Sequence, residues 1–212
     1  YQNKKMFRQL KDFMEEIHAT GAKLFVQLTA GMGRAWGISD EVLPIHKNPV
    51  LKVLAKPILD TDYQLASPSP LPSRWAEGVT CPEMTVAQIE EIVEAFAKTA
   101  VLCKEAGVDG VEVHAVHEGY LLDQFALKYT NHRTDNYGGS FENRYRFAVD
   151  IVKAIKAACG ADYPVSIRYS AVSKVKDFCY GALPGEEYDE IGRDLEEGRV
   201  AAKYLQDAGY DM

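Results

Sequence analysis

The sequence has no apolar run approaching the roughly 20 residues that a bilayer-spanning helix needs, so no membrane segment is expected. It also lacks a basic excess: 24 Lys and Arg stand against 31 Asp and Glu, a formal net charge of −7 at pH 7. Surfaces that bind nucleic acid or anionic lipid are electropositive, so neither partner is expected. The four cysteines, Cys81, Cys103, Cys159 and Cys179, lie far apart and form no C-x-x-C pair. That spacing argues against a zinc site or a disulfide framework and for reduced thiols in a cytoplasmic protein. The first residues, Tyr1-Gln2-Asn3-Lys4-Lys5, carry neither an initiator Met nor the apolar stretch of a signal peptide.

What is present is a chain of 212 residues, 47% hydrophobic, the size and composition of one α/β domain or part of one. Helices alternate with short apolar strands. Lys4 to Ala19 places Phe7, Leu10, Phe13, Met14 and Ile17 on one helical stripe, and Lys23 to Leu28 follows as a strand. Thr85-Val86-Ala87-Gln88 is a capping box that opens a second helix, followed by the strand Gly110 to His114. A third helix is expected over Ser140 to Cys159, then the strand Pro164 to Tyr169. A last helix, about Tyr188 to Ala208, leads into Gly209-Tyr210-Asp211-Met212, the first residues of a further strand. This alternation predicts a parallel sheet with right-handed crossovers.

Two connections are long, 29–84 and 170–187, and both are rich in Gly, Pro and Ser. Both leave the C-terminal end of a strand, the face on which α/β sheets and barrels build their sites. The aromatic and apolar residues Trp36, Tyr63, Leu71 and Trp75 are available there to floor a steroid-sized site or to pack the loop itself. Each complete strand also carries a polar residue near its C-terminal end: Gln27, His114 and Arg168. These are either exposed strand ends or a polar set that meets a ligand across the barrel mouth. A flavin would suit the second reading, because an amide donates and accepts along a pyrimidine edge while a guanidinium favours negative charge near N1 and O2.

After the second strand comes His114-Ala115-Val116-His117-Glu118-Gly119-Tyr120. If this run turns helical, His114, His117 and Tyr120 share a face. Two imidazoles can donate to a carbonyl oxygen and a phenol can supply a proton. The histidines could instead ligate zinc, although the spacing is not H-E-x-x-H. Spacing alone favours Tyr120 as a packed aromatic. The block Asn131 to Arg144 reads as a structured loop held by charged groups around Gly138-Gly139, and it fits neither G-x-G-x-x-G nor a P-loop.

With Gly110-Val111-Glu112-Val113-His114, Gly119 to Phe125, Asn131 to Arg144 and Arg146-Phe147, the sequence resembles the Old Yellow Enzyme family of NADH:flavin oxidoreductases. Val26-Gln27-Leu28, Gly33-Arg34, Pro82 to Thr85 and Ser166-Ile167-Arg168 fit the same family in the same order. The resemblance implies a (β/α)₈ TIM barrel with FMN at its C-terminal mouth. Residues 1–212 would form the central portion, about strands three to six, truncated at both ends, with 29–84 a long loop or small subdomain over the mouth. It implies Gln27 and Arg168 as flavin-binding residues, His114 and His117 as donors to the substrate carbonyl, and Tyr120 as proton donor. Glu118 is an extra residue relative to the family's usual pattern, which bears on His117.

The long form of that run resembles the 2,4-dienoyl-CoA reductase branch, which includes bile-acid and steroid enone reductases. That branch implies FAD and a [4Fe–4S] cluster bound outside this segment, and NADH or NADPH as electron donor. The implied activity is hydride transfer, via flavin, to the C=C bond of a small-molecule enone or enoyl compound. A homo-oligomer is a further expectation for the whole protein. The competing readings are a metal-dependent hydrolase on the same barrel and a segment that is catalytically inert by itself.

Overall fold

The structure is a computed structural model and describes residues 3–117 and 120–212. In chain order its elements are α1 (Lys4–Ala19), β1 (Phe25–Thr29), α2 (Leu43–Lys47), α3 (Pro49–Ala55), α4 (Thr61–Leu65), β2 (Leu71–Pro72) and β3 (Thr80–Cys81). There follow α5 (Val86–Glu105), β4 (Gly110–Ala115), α6 (Leu121–Ala126), α7 (Phe141–Cys159) and β5 (Val165–Tyr169). The chain continues through β6 (Val175–Asp177), β7 (Tyr180–Gly181) and α8 (Leu195–Ala208).

The expected long helices form where their signals lie. Asn3 caps α1, accepting from the amides of Lys5 and Met6. Thr85 and Gln88 make the reciprocal capping box of α5, and Ser140 caps α7 through the Asn143 amide. Only α8 starts later than expected. Residues 188–194 are not helical, because Glu190 turns back to accept from the amides of Val175 and Gly192. Gly192 lies so close to Ser173 that an added Cβ would sit 2.7 Å from it. The helix begins only at Asp194, whose carboxylate caps it through the Glu197 amide.

Strands β1, β4 and β5 form one parallel sheet in that order. Each new strand adds on the same side, as in a barrel, whereas a doubly wound sheet reverses its order. A fourth strand begins beyond β5: the Asp211 amide donates to the Val165 carbonyl, and the Ile167 amide to that of Met212. Helices α5, α7 and α8 pack side by side, and one core joins them to the sheet's outer face. Ile89, Phe96, Ile151 and Ile155 meet Val111, Val113 and Val165 there. The bottom of the sheet is tied by Asp109, which takes hydrogen bonds from His18 and the Leu24 amide, each at 2.9 Å, and pairs with Lys23. Burial opposes its charge, but His18, the Leu24 amide and Lys23 together hold the carboxyl well below its usual range.

The connection 29–84 is largely structured. It carries α2 to α4, the β2–β3 hairpin and its own apolar cluster of Leu65, Ala76, Val79 and Cys81, with Trp36, Ile38 and Leu43 against it. The connection 170–187 carries the β6–β7 hairpin.

Candidate active site

Side chains alternate along a strand, and residues in register on neighbouring parallel strands share a face. Gln27 stands opposite Glu112, and Glu112 opposite Ser166. One layer nearer the C-terminal ends, Thr29 stands opposite His114, and His114 opposite Arg168. The face turned away from the helices is therefore polar, lined by Gln27, Thr29, Glu112, His114, Ser166 and Arg168. Below these layers the Phe25 ring lies across Gly110, where an added Cβ would stand 2.5 Å from it, so a side chain at 110 would displace the ring.

The three polar strand-end residues share this inner face, in two layers. Gln27 lies in the deeper one, where its amide nitrogen donates to Glu112. Arg168 and His114 share the upper layer. His114 is 4% exposed, yet among the described residues neither ring nitrogen has a hydrogen-bond partner. A buried imidazole left so is costly, by roughly 1–3 kcal/mol for an unmade bond, and such a group in a native protein calls for an explanation. Burial, Arg168 and His117 lower its pKa against the opposing pull of Glu112. The imidazole is accordingly neutral at pH 7.

His114, His117 and Tyr120 do converge, through a turn and not a helix. His117 has φ of 61°, the left-handed region, and the Tyr120 amide donates to its carbonyl at 2.9 Å. Tyr120 is the extended residue that caps α6. Its ring meets His114 edge to face with centroids 3.9 Å apart, while His117 stands 6.1 Å from His114 and 6.4 Å from Tyr120. Glu118 and Gly119 lie outside the described residues. Among the described residues no group of three or more His, Cys, Asp and Glu is arranged to hold a metal ion.

This turn rests on a rigid base. The Gln124 amide nitrogen on α6 donates to the Met32 carbonyl at 2.9 Å, and the Leu121 amide donates to that of Gly31, clamping the chain after β1 against α6. Beneath α6, Asp123 forms a fully buried pair with Arg193 at 2.9 Å, and Arg193 also donates to the Tyr145 hydroxyl at 2.6 Å. Burial opposes both charges, while Asp123 and Tyr145 hold the guanidinium's pKa above its ordinary value. Behind the site, the block from Asn131 is held as its composition predicts. Arg133 pairs with Asp135 at 2.5 Å, and the Asn131 amide bridges the carbonyls of Phe125 and Tyr137. Gly138 has no room for a Cβ against the Arg133 carbonyl.

A cavity of about 340 Å³ opens beside His117 and Tyr120, walled by both long connections. The loop aromatics divide. Trp36 packs on the loop's own cluster and Leu71 is buried, whereas Trp75 lines this cavity and Tyr63 a separate apolar groove beside β1. Sequence reasoning gave no role to Glu112, although it stands two residues before His114 and so must share its face. Arg34 was noted only as part of a motif. It is fully buried, stacked on Phe178 at 4.1 Å with Nη2 donating to the Cys179 sulfur at 3.1 Å. No local pattern foretells that partner 145 residues away.

This inner face fits a planar polar ring such as a flavin. Gln27 and Arg168 are both exposed toward it, and the two orphaned nitrogens of His114 stand beside them.

Comparison with known proteins agrees with this arrangement. Residues 2–204 match the model of the NADH:flavin oxidoreductase / NADH oxidase family. Over 200 residues, 94% of this chain, it is 50% identical to a cinnamate reductase of Clostridium sporogenes. Its fold resembles a 2-naphthoyl-CoA reductase in complex with 2-naphthoyl-CoA, with TM-score 0.72, 29% identity and 99% of this chain covered. It also resembles an Old Yellow Enzyme from Pichia sp. AKU4542, with TM-score 0.62, 33% identity and 81% of this chain covered. The chain spans 27% of the cinnamate reductase, 28% of the naphthoyl-CoA reductase chain and 42% of the Old Yellow Enzyme chain. With a sheet that grows strand by strand under one layer of helices, and a polar inner face at its mouth, this is part of a (β/α)₈ barrel, and the chain belongs to the NADH:flavin oxidoreductase family of Old Yellow Enzyme.

Proposed function

We propose that residues 1–212 are the central portion of an FMN-binding barrel domain, with 29–84 folded over its mouth. The protein it serves is an NAD(P)H:flavin oxidoreductase that reduces a C=C bond conjugated to a carbonyl. Bound FMN would supply the hydride, taken from NADH or NADPH and delivered to the β-carbon of the substrate. Gln27 and Arg168 would hold its pyrimidine side, the amide by hydrogen bonding and the guanidinium by favouring negative charge there.

The substrate carbonyl falls to His114. Because it is neutral at neutral pH, it can donate an N–H to the carbonyl oxygen and stabilise the charge that builds there as the β-carbon gains hydride. His117 is the second donor, placed by its left-handed turn. The Tyr120 phenolic oxygen gives its proton to the α-carbon, completing the addition of two hydrogens. The observation that carries this reading is the buried, unpartnered imidazole of His114 in edge contact with Tyr120 and in register with Arg168.

The substrate class is an α,β-unsaturated carbonyl, enoyl or dienoyl compound. A relative named for cinnamate and a structural neighbour named for an aryl thioester support an aromatic member over a steroid or bile-acid enone. In the full-length protein we expect about one FMN per chain and NAD(P)H-dependent loss of the conjugated double bond. His114→Leu should retain flavin reduction and lose roughly 10²–10³-fold in alkene reduction, the size of one oxyanion donor. Stoichiometric zinc with no flavin band would favour a metal-dependent hydrolase and overturn the proposal.

The isolated 212 residues we expect to be inert, because β1 has no partner on its far side among the described residues and an unclosed sheet leaves its edges bare.

A further inference from the structure

We propose that Glu112 is a positioning residue for flavin binding: it fixes which way the Gln27 amide faces, and so which groups Gln27 offers to the ring. The inference deepens the ene-reductase reading and rests on its placing of FMN against Gln27.

Interior positions of a barrel sheet are mostly filled by branched apolar side chains. The deeper inner layer here instead carries Gln27, Glu112 and Ser166 in register, with Glu112 on the middle strand of the three. The carboxylate is half-buried, and a charged group in such a place has to be answered by a partner.

That partner is Gln27, whose amide nitrogen donates to Glu112. Among the described residues Glu112 forms no ion pair, and Ser166 across the sheet makes no hydrogen bond to it. His114, two residues on and in the layer above, feels the charge: burial, Arg168 and His117 lower its pKa while Glu112 pulls it upward. No hydrogen bond joins the two, since both ring nitrogens of His114 lack a partner among the described residues. Glu112 therefore orients Gln27 and not His114.

A carboxylate offers acceptors only, whereas a primary amide has a donor end and an acceptor end. Gln27 can meet Glu112 through its NH2 alone, because the reverse would set two acceptors against each other. Among the described residues nothing donates to the Gln27 carbonyl oxygen. That oxygen, with the second N–H of the amide beside it, is left for a ligand. An acceptor next to a donor is complementary to an imide, in which N–H adjoins C=O, and the pyrimidine edge of a flavin is an imide. A glutamine at 112 would itself present both a donor and an acceptor, and so would satisfy Gln27 facing either way. The carboxylate is what makes the orientation single.

The test is a double-mutant cycle on FMN affinity, measured by reconstituting the full-length apoprotein. Glu112→Gln should weaken FMN at least fivefold when Gln27 is present and less than twofold in a Gln27→Leu background. Charge alone predicts the opposite sign, since FMN is an anion and the substitution removes a negative group. Glu112→Asp, shorter but still an acceptor only, should bind FMN more tightly than Glu112→Gln, whereas a packing role would rank Gln above Asp. In resonance Raman spectra of the bound flavin, the N3–H bending mode should move in Glu112→Gln and move no further in the double variant than in Gln27→Leu. An equal loss of affinity in both backgrounds, no loss in either, or Gln ranking above Asp would overturn the positioning role. If Gln27→Leu itself left FMN affinity and the N3–H mode unchanged, the placing of FMN against Gln27 would fall instead.

Discussion

The two faces of the three-stranded sheet are built to opposite rules. On the outer face Val111, Val113, Val165 and the helix residues above them are closed off from water and ask for nothing but contact. On the inner face the same strands carry Gln27, Glu112, His114 and Arg168, and the buried imidazole lacks a hydrogen-bond partner among the described residues. Alternation along a strand makes this possible, since each residue is assigned to packing or to chemistry by parity. The outer face supplies the stability from which the cost of the inner face is met.

That contrast can be broken at particular positions. The largest effect is expected on the packed side, at Phe125. It is fully buried and meets Phe147 edge to face at 5.1 Å, so Phe125→Ala should cost about 3–5 kcal/mol in equilibrium unfolding. A loss below about 1 kcal/mol would show that α6 is not locked to α7 as described.

Asp109→Asn should have a smaller effect, confined by pH. The folded carboxyl has its pKa below the unfolded value of about 3.9. Its contribution is thus fully present above about pH 5 and lost as pH falls through the folded value. Stability of wild type and variant should differ at pH 7 and converge in acid. A gap that does not narrow at all as pH falls from about 5 to about 2 would remove the electrostatic explanation.

The smallest effect on stability is expected at His114, on the polar side. Replacing a buried group that makes no hydrogen bonds by an apolar one of similar size is close to neutral. His114→Leu should therefore shift unfolding by less than about 1 kcal/mol, or stabilise, even as it damages the reaction. Wild type should also lose some stability below about pH 6.5 that the variant keeps, because the unfolded chain takes up the imidazole's proton first. A large destabilisation would mark His114 as a structural residue.

Most of the fold was legible because its signals are local. Thr85 with Gln88, Ser140, and glycines 107 and 160 punctuate the helices at the positions observed. The beginning of α8 was legible too, since Asp194 with Glu197 three residues on is a capping signal that marks a start later than Tyr188. The interior of 29–84 was not legible. Its helix α4 and its hairpin are joined by the apolar cluster of Leu65, Ala76, Val79 and Cys81, residues whose spacing follows no helix or strand period. At the site, the position of Gln27, His114 and Arg168 near the C-terminal ends of their strands pointed to the face they share. It did not give the left-handed residue that turns His117 toward Tyr120, since a histidine carries no signature of positive φ. The partners of Arg34 and Arg193 are distant in sequence, and pairings of that range follow from the fold alone.

The most direct measurement follows the two half-reactions of the full-length flavoprotein separately, in wild type and in Tyr120→Phe. Reduction of the flavin by NAD(P)H should proceed at the wild-type rate, while reoxidation by a conjugated substrate should slow by at least about 10²-fold, the usual contribution of a positioned acid. A Tyr120→Phe protein that reoxidises as fast as wild type would contradict the assignment of the proton to Tyr120, and with it the site built around His114.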